Sequence, residues 1–268
     1  MLEQVRDLYA TEWTAQLREA EGKKVRPRFN HLIFTGPSGT GKTTTAESIA
    51  DLYSALGVTT KPVGKNMIKA TPTDLRGSHL GQSAPKVREL FARGKGGVIF
   101  IDEAYGIVSP GHEGWRDELG HEAVVELLTQ LEKHRDDTVV ILAGYGPEMH
   151  EFLKTNPGLR SRLPKEIHLP AFTPEQSMDI IDRMNRDMGH TAAPKVKAAM
   201  REAVVTSGAV GNAREIDNLF NEIITAQARR IVSTTPAGKS PSPRKLDQIT
   251  ETDIEAGLSR YVLTRSGG

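Results

Sequence analysis

The sequence predicts an α/β domain, with a parallel sheet covered by helices on both faces, followed by an all-α domain. Two observations predict this arrangement. Short apolar runs alternate with amphipathic segments up to Pro170, and runs of this length are typical of buried parallel strands. After Pro170 only helical periodicity recurs. We therefore predict one domain over residues 1–170 and a second, helical domain over residues 171–268.

Each element follows from its local pattern. Continuous apolar runs predict strands at 31–35, 65–70, 97–101, 138–143 and 166–169. Apolar residues at helical spacing predict helices at 2–17, 43–56, 84–93, 121–134 and 147–153, and then at 174–188, 194–206, 212–232 and 250–260. Glycine, proline and small polar residues predict loops at 107–119 and 233–245.

Composition excludes several classes of protein. The net charge is +1 over 268 residues, so no overall positive field favours nucleic acid as a partner. The chain has no cysteine, which excludes disulfides, thiolate metal sites and a cysteine nucleophile. Charged residues interrupt the first twenty positions, and no apolar run approaches a membrane span. These features predict a cytoplasmic protein that does not insert into a membrane.

Residues 36–43 read Gly-Pro-Ser-Gly-Thr-Gly-Lys-Thr and match the phosphate-binding loop pattern G-x-x-x-x-G-K-[ST] between a strand and a helix. Its glycines allow consecutive backbone N–H groups to point at an anion. Lys42 is expected to neutralise the β- and γ-phosphates of ATP, and the Thr43 hydroxyl to bind Mg²⁺. The predicted nucleotide-binding residues of this segment are Gly36, Pro37, Ser38, Gly39, Thr40, Gly41, Lys42, Thr43 and Thr44.

Two carboxylates end the strand predicted at 97–101. Ligands of parallel sheets lie at the carboxyl ends of the strands, and Asp102 and Glu103 stand about sixty residues after the phosphate loop. We expect Asp102 to hold Mg²⁺ through its water shell. Glu103 would orient or deprotonate the water that attacks the γ-phosphate.

Arginines at two further places are candidates for the same chemistry. Arg160 and Arg162 follow the strand at 138–143 and its helix. They are either solvated side chains at a helix end or donors to the γ-phosphate of a neighbouring subunit, and spacing alone leaves both readings open. Arg214 opens a predicted helix, and by itself indicates only a helix start with an exposed arginine.

Together these residues resemble an AAA+ ATPase of the CbxX/CfqX branch, which includes red-type Rubisco activases, a sporulation protein and a type VII secretion ATPase. The similarity runs over about residues 15–260. The segments that carry it are 31–36, 81–86, 96–105, 140–145, 156–162 and 212–214.

The resemblance implies a hexameric ring that binds ATP at subunit interfaces and remodels a protein client at its central pore. It assigns Lys42 and Thr43 to the Walker A motif, and Asp102 and Glu103 to Walker B. The other roles are Arg160 and Arg162 as arginine fingers, with Arg162 as the primary one, Arg214 as sensor 2, Tyr145 at the sensor 1 position, and His79, Leu80 and Gly81 as the pore loop.

Three features depart from the family pattern. The pore loop begins with His79 in place of a larger aromatic, which predicts a weaker or pH-dependent grip. Tyr145 replaces the asparagine of many AAA+ proteins, so the group that positions the attacking water is left open. A Gly-Leu-x-x-x-Lys segment is missing before residue 31, so the chain is either a module of a longer protein or a divergent member.

These observations favour an ATP-dependent protein-remodelling machine. The alternatives are a clamp-loader-like DNA-handling ATPase, which the near-neutral charge disfavours, and a nucleotide-gated scaffold with little turnover, which Glu103 disfavours. The segments expected to distinguish one client from another are the loops at 71–83 and 106–119.

Overall fold

The computed structural model describes residues 2–25, 29–109, 117–207 and 211–266. Contacts between residues divide the chain into two compact units, one of residues 1–37 and 41–169, the other of residues 38–40 and 170–268. Part of the loop predicted at 107–119 lies outside the described residues. In the described part of the chain, no helix is long and apolar enough to cross a membrane.

The first unit contains a five-stranded parallel sheet in the order β2-β3-β4-β1-β5. Its strands are β1 (Leu32–Thr35), β2 (Met67–Ala70), β3 (Val98–Ile101), β4 (Val139–Gly144) and β5 (Lys165–His168). Its helices are α1 (Leu2–Ala20), α2 (Lys42–Ala55), α3 (Pro72–Leu75), α4 (Ser83–Gly94), α5 (Glu118–Lys133), α6 (Gly146–Lys154) and α7 (Pro157–Arg162), and a 3-10 helix covers Ala104–Ile107. The predicted α/β class is confirmed.

Side chains alternate between the two faces of this sheet. Leu32, Phe34, Val98 and other residues of the same parity pack with α1 and α2 in one apolar cluster. The intervening residues, such as Ile33 and Ile99, pack with α3 to α7 in the other. Because both faces are covered, β1, β3 and β4 are buried along their whole length. The phosphate loop joins β1 to α2, so it leads to the first of these faces.

The second unit is mainly helical, as predicted. Its helices are α8 (Pro174–Asp187), α9 (Pro194–Ser207), α10 (Ala213–Thr234), α11 (Pro243–Asp247) and α12 (Glu251–Ser266). The helices α10 and α12 approach so closely that a Cβ at Gly257 would lie 2.7 Å from the Cα of Ile223. A short parallel pair, β6 (Thr191–Ala192) with β7 (Gln248–Ile249), corrects the expectation that strands stop after Pro170.

A buried histidine connects β1 to its neighbours in the first unit. Nε2 of His31 lies 3.1 Å from the carbonyl oxygen of Leu131, and its Nδ1 accepts a hydrogen bond of 3.1 Å from the backbone N–H of Val140. The ring is therefore neutral, with its proton on Nε2. Burial lowers the pKa of His31 from 6.5 to about 4, although the bond to Leu131 opposes the shift.

Because His31 is buried and neutral, we expect the protein to lose stability in acid. Between pH 6.5 and pH 4 the unfolded chain binds a proton at His31 that the folded chain does not, so the free energy of unfolding falls as the pH falls through this window. The expected contribution is about 3 kcal/mol. Urea unfolding at pH 7 and pH 4 should show a smaller difference for His31→Gln than for the unchanged chain. The exposed control His79→Gln should keep the full difference, and equal differences in all three proteins would contradict the prediction.

Candidate nucleotide-binding site

The phosphate loop has the backbone conformation that its glycines predict. Gly39 and Gly41 have φ of 71° and 87°, and Gly41 directly precedes α2. At Gly36 a Cβ would lie 2.1 Å from the carbonyl oxygen of Leu169, so only glycine fits there. The Lys42 side chain is buried, and its Nζ donates hydrogen bonds of 2.9 Å to the carbonyl oxygens of Gly36 and Pro37. The lysine is thus held against the loop, where a phosphate would bind.

Asp102 and Glu103 follow β3, and β4 lies between β3 and β1 in the order of the strands. The two carboxylates and the phosphate loop therefore lie at the carboxyl edge of the same sheet. Thr43 and Asp102 are partly buried and offer a hydroxyl and a carboxylate, the oxygen ligands that Mg²⁺ prefers. The chemistry of this pair fits the predicted magnesium site.

Glu103 has an unusual backbone. Its φ of 51° and ψ of 42° place it in the left-handed region, and among the described non-glycine residues it alone has a positive φ. Such conformations cost about 1–3 kcal/mol and are common at functional sites. The Glu103 carboxylate accepts a hydrogen bond from the hydroxyl of Tyr105, which stands in the 3-10 helix that follows.

A pair of tyrosines lies between the lysine and the glutamate. Tyr145 directly follows β4, and its ring centroid is 5.5 Å from Nζ of Lys42, a distance at which a cation and an aromatic ring attract each other. The Tyr145 and Tyr105 rings are 6.4 Å apart and tilted by 42°. The predicted sensor 1 position is therefore in contact with Lys42, but through an aromatic face.

The two candidate arginines are on α7. Pro157 stands in its first turn, and the Asn156 side chain caps it by accepting a hydrogen bond from the N–H of Gly158. Arg160 is exposed, whereas Arg162 is partly buried and its Nε lies 3.4 Å from a carboxylate oxygen of Glu132 on α5. Leu159 anchors α7 in the cluster on the sheet face opposite to α2.

Arg214 stands in the first turn of α10, within the second unit. Its Nη1 donates a hydrogen bond of 3.1 Å to the hydroxyl of Ser38, which belongs to the same unit by its contacts. The N–H of Ala213 donates to the carbonyl oxygen of Gly39 at 2.8 Å, and a Cβ on Gly39 would lie 3.1 Å from Asn212. Two residues of the phosphate loop, Ser38 and Gly39, are thus in direct contact with the start of α10.

The segment predicted as a pore loop is exposed but ordered by hydrogen bonds. His79, Leu80 and Gly81 are all exposed, and Leu80 retains 66% of its accessible surface. Glu122 on α5 accepts hydrogen bonds of 2.9 Å from the N–H groups of Gly81 and Ala84. One carboxylate therefore fixes both the end of this loop and the start of α4.

A second anchor joins the loop at 71–83 to the start of α5. Arg76 pairs with Asp117 through both of its terminal nitrogens, and its Nη1 also donates to the carbonyl oxygen of Ile107 at 2.7 Å. Burial raises the pKa of Asp117. The hydrogen bonds from Arg76 and from backbone N–H groups together outweigh this effect, so the pKa lies below its usual value. The carboxylate is ionised at neutral pH and keeps this contact.

Three residues that contact the candidate nucleotide-binding site or the segment 79–81 had no role assigned from the sequence. These are Tyr105, Gly144 and Glu122. Tyr105 belongs to a segment that carries the family resemblance, but its bond to Glu103 depends on a left-handed backbone that no sequence pattern shows. The Glu122 contacts join residues 38 to 41 positions apart, so local spacing could not predict them.

Comparison with known proteins agrees with this geometry. Residues 32–171 match the model of the ATPase family associated with various cellular activities (AAA), and residues 173–261 match the AAA lid domain. The chain is 38% identical over 230 residues to protein CbbX of Cereibacter sphaeroides, which covers 84% of this chain and 72% of that protein.

The chain is also similar to an activase and to a secretion system protein. The chain is 34% identical over 253 residues to the chloroplastic ribulose bisphosphate carboxylase/oxygenase activase of Cyanidioschyzon merolae, covering 93% of this chain and 84% of the relative. It is 33% identical over 254 residues to the ESX-2 secretion system protein EccA2 of Mycobacterium tuberculosis, covering 90% of this chain but only 40% of EccA2.

The predicted family resemblance is confirmed by these matches. They cover both units, and the first of them includes the phosphate loop and the Asp102–Glu103 pair. The chain belongs to the AAA ATPase family, with an AAA domain followed by an AAA lid domain, and it is an ATPase.

Proposed function

We propose that this ATPase works as a ring and couples Mg-ATP hydrolysis to the remodelling of a protein client. The observation that carries the proposal is the position of Arg162. Lys42 begins a helix on one face of the sheet, whereas α7, which carries Arg162, packs on the other face. An arginine so placed is suited to serve the nucleotide of an adjacent copy of the chain.

The chain's own residues divide the work of hydrolysis between them. Lys42 and the backbone N–H groups of the phosphate loop hold the polyphosphate of ATP. Thr43 and Asp102 hold Mg²⁺, which when bound neutralises charge on the phosphates. Glu103 orients the attacking water and accepts its proton. Tyr145 packs against Lys42 and helps to keep the lysine in place.

Arginines complete the site in this proposal. Arg162 of the next copy stabilises the charge that develops on the γ-phosphate, and the exposed Arg160 assists it. Arg214 is held at Ser38 and responds to the nucleotide in the phosphate loop. In this proposal a head-to-tail interface brings Arg162 of one copy to the phosphate loop of the next. Such interfaces form a closed ring when the rotation between neighbouring copies closes, and we propose a ring of six copies, a hexamer.

The loop formed by His79, Leu80 and Gly81 is proposed to contact the client. It combines an imidazole, an exposed aliphatic side chain and a glycine on a segment anchored by Glu122. The anchor limits the motion of the loop relative to α5, so a movement of α5 is transmitted to it. One relative is named for a secretion system and another as an activase of ribulose bisphosphate carboxylase/oxygenase.

Leu80→Ala is expected to reduce client-stimulated ATP turnover severalfold and to leave basal turnover unchanged. The substitution removes apolar surface that only the client would cover. Val63→Ala is a matched control because Val63 is also exposed and lies outside the loop. Equal stimulation of both variants by the client would contradict a gripping role for the loop.

The client can be identified with a variant that binds ATP without hydrolysing it. Glu103→Gln protein is incubated with ATP and a cell extract of its own source, and the proteins retained are compared with those retained by Glu103→Gln combined with Leu80→Ala. A protein that requires both ATP and Leu80 is the expected client. It is then purified and tested for stimulation of ATP turnover by the unchanged chain, and absence of any stimulation would contradict the proposal.

A further inference from the structure

We propose that Tyr105 is a positioning residue for ATP hydrolysis: its hydroxyl fixes the carboxylate of Glu103, and Gly144 and Tyr145 fix its ring. The inference rests on the proposed role of Glu103. It assigns a function to a tyrosine that does not itself need to touch the nucleotide.

The first support is the hydrogen bond itself. The Tyr105 hydroxyl donates to one carboxylate oxygen of Glu103, which leaves the other oxygen available to a water molecule. The left-handed backbone of Glu103 fixes the direction in which its side chain leaves the main chain, and the Tyr105 hydroxyl fixes the position of its carboxylate. A side chain restrained at both ends samples fewer orientations, and general base catalysis depends strongly on orientation.

The second support is the packing of the tyrosine ring. A Cβ added to Gly144 would lie 2.8 Å from Cδ1 of Tyr105, so the ring rests directly on the backbone at the end of β4. The Tyr145 ring lies 6.4 Å from it on the residue that follows. The position of the hydroxyl is therefore set by β4, the strand between those that lead to Lys42 and to Glu103.

The hydroxyl is also in the right protonation state. Burial, followed by the hydrogen bond to Glu103 and the negative charges of Glu103 and Glu148, raises the pKa of Tyr105 above its usual value. The hydroxyl consequently stays protonated throughout the neutral range. It acts there as a hydrogen-bond donor to Glu103.

The test is Tyr105→Phe, which removes the hydroxyl and keeps the ring. We expect kcat for ATP hydrolysis to fall about tenfold, while KM and the affinity for ATP stay within about twofold of the unchanged chain. Thermal unfolding of the variant checks that it folds. Tyr9→Phe is the matched control, because Tyr9 is exposed on α1, and its kcat should not change.

A second variant keeps the hydroxyl but moves the ring. Gly144→Ala places a Cβ 2.8 Å from Cδ1 of Tyr105 and 2.9 Å from Sδ of Met149, and it should lower kcat more than it raises KM. A kcat of Tyr105→Phe within about twofold of the unchanged chain, or above it, would overturn the inference. Glu103→Gln separates this failure from that of the proposed function: if Glu103→Gln abolishes turnover and Tyr105→Phe does not lower it, only the role of Tyr105 is wrong.

Discussion

Glu103→Gln is expected to lower ATP turnover by about 10²- to 10⁴-fold, the range typical for loss of a general base. The amide keeps the size of the side chain but cannot accept the proton of the attacking water. ATP binding should be retained, because Lys42 and the phosphate loop are unchanged. Turnover is measured as phosphate release at saturating ATP, and binding with a fluorescent ATP analogue.

The same variant should accumulate as an ATP-bound assembly, which mass photometry with and without ATP can detect. Glu89→Gln is a suitable control. Glu89 is exposed on α4, and the substitution removes the same charge at a different position. Its turnover should equal that of the unchanged chain. Unchanged turnover in Glu103→Gln would show that Glu103 is not the catalytic carboxylate.

Arg162→Ala is expected to lower kcat by about 10³- to 10⁵-fold, the effect of removing an arginine finger. Its stability should hardly change. The ion pair with Glu132 joins side chains that are 28% and 44% exposed, and pairs of this kind contribute about 0–1 kcal/mol. Steady-state kinetics and thermal unfolding measure the two effects separately.

Arg135→Ala is the matched control for this variant. Arg135 pairs with the same Glu132, at 3.0 Å, and has no proposed role in hydrolysis. If Arg135→Ala and Arg162→Ala lowered kcat equally, the effect would come from the loss of an arginine at Glu132, and the finger assignment would be contradicted.

Much of the fold could be predicted because its signals are local. The strands β1, β3 and β4 are buried on both faces and read as apolar runs between helical segments. The pair of β6 and β7 has two residues in each strand, too few to show an alternating pattern, and its strands are far apart in the chain. The short helix α7 has a cap and a proline at its start, but its six residues are too few to show helical periodicity.

The candidate site was predictable to the extent that its residues form motifs. The phosphate loop and the Asp102–Glu103 pair stand at the same edge of the sheet, where strand order brings them together. Their roles, and those of Arg160, Arg162 and Arg214, stay predictions. Contacts such as that of Tyr105 with Glu103 depend on the packing of Gly144 and on a rare backbone conformation, and neither is visible in a linear pattern.

The central claim is that each hydrolytic site combines Lys42 of one copy with Arg162 of the next. It is tested by co-expressing Lys42→Ala and Arg162→Ala chains with different tags and purifying assemblies that contain both. Each variant alone should be inactive. In equal mixtures about one quarter of the head-to-tail interfaces pair an intact Lys42 with an intact Arg162, so about a quarter of the full activity should return. Mixed assemblies that stay as inactive as the single variants would contradict the claim.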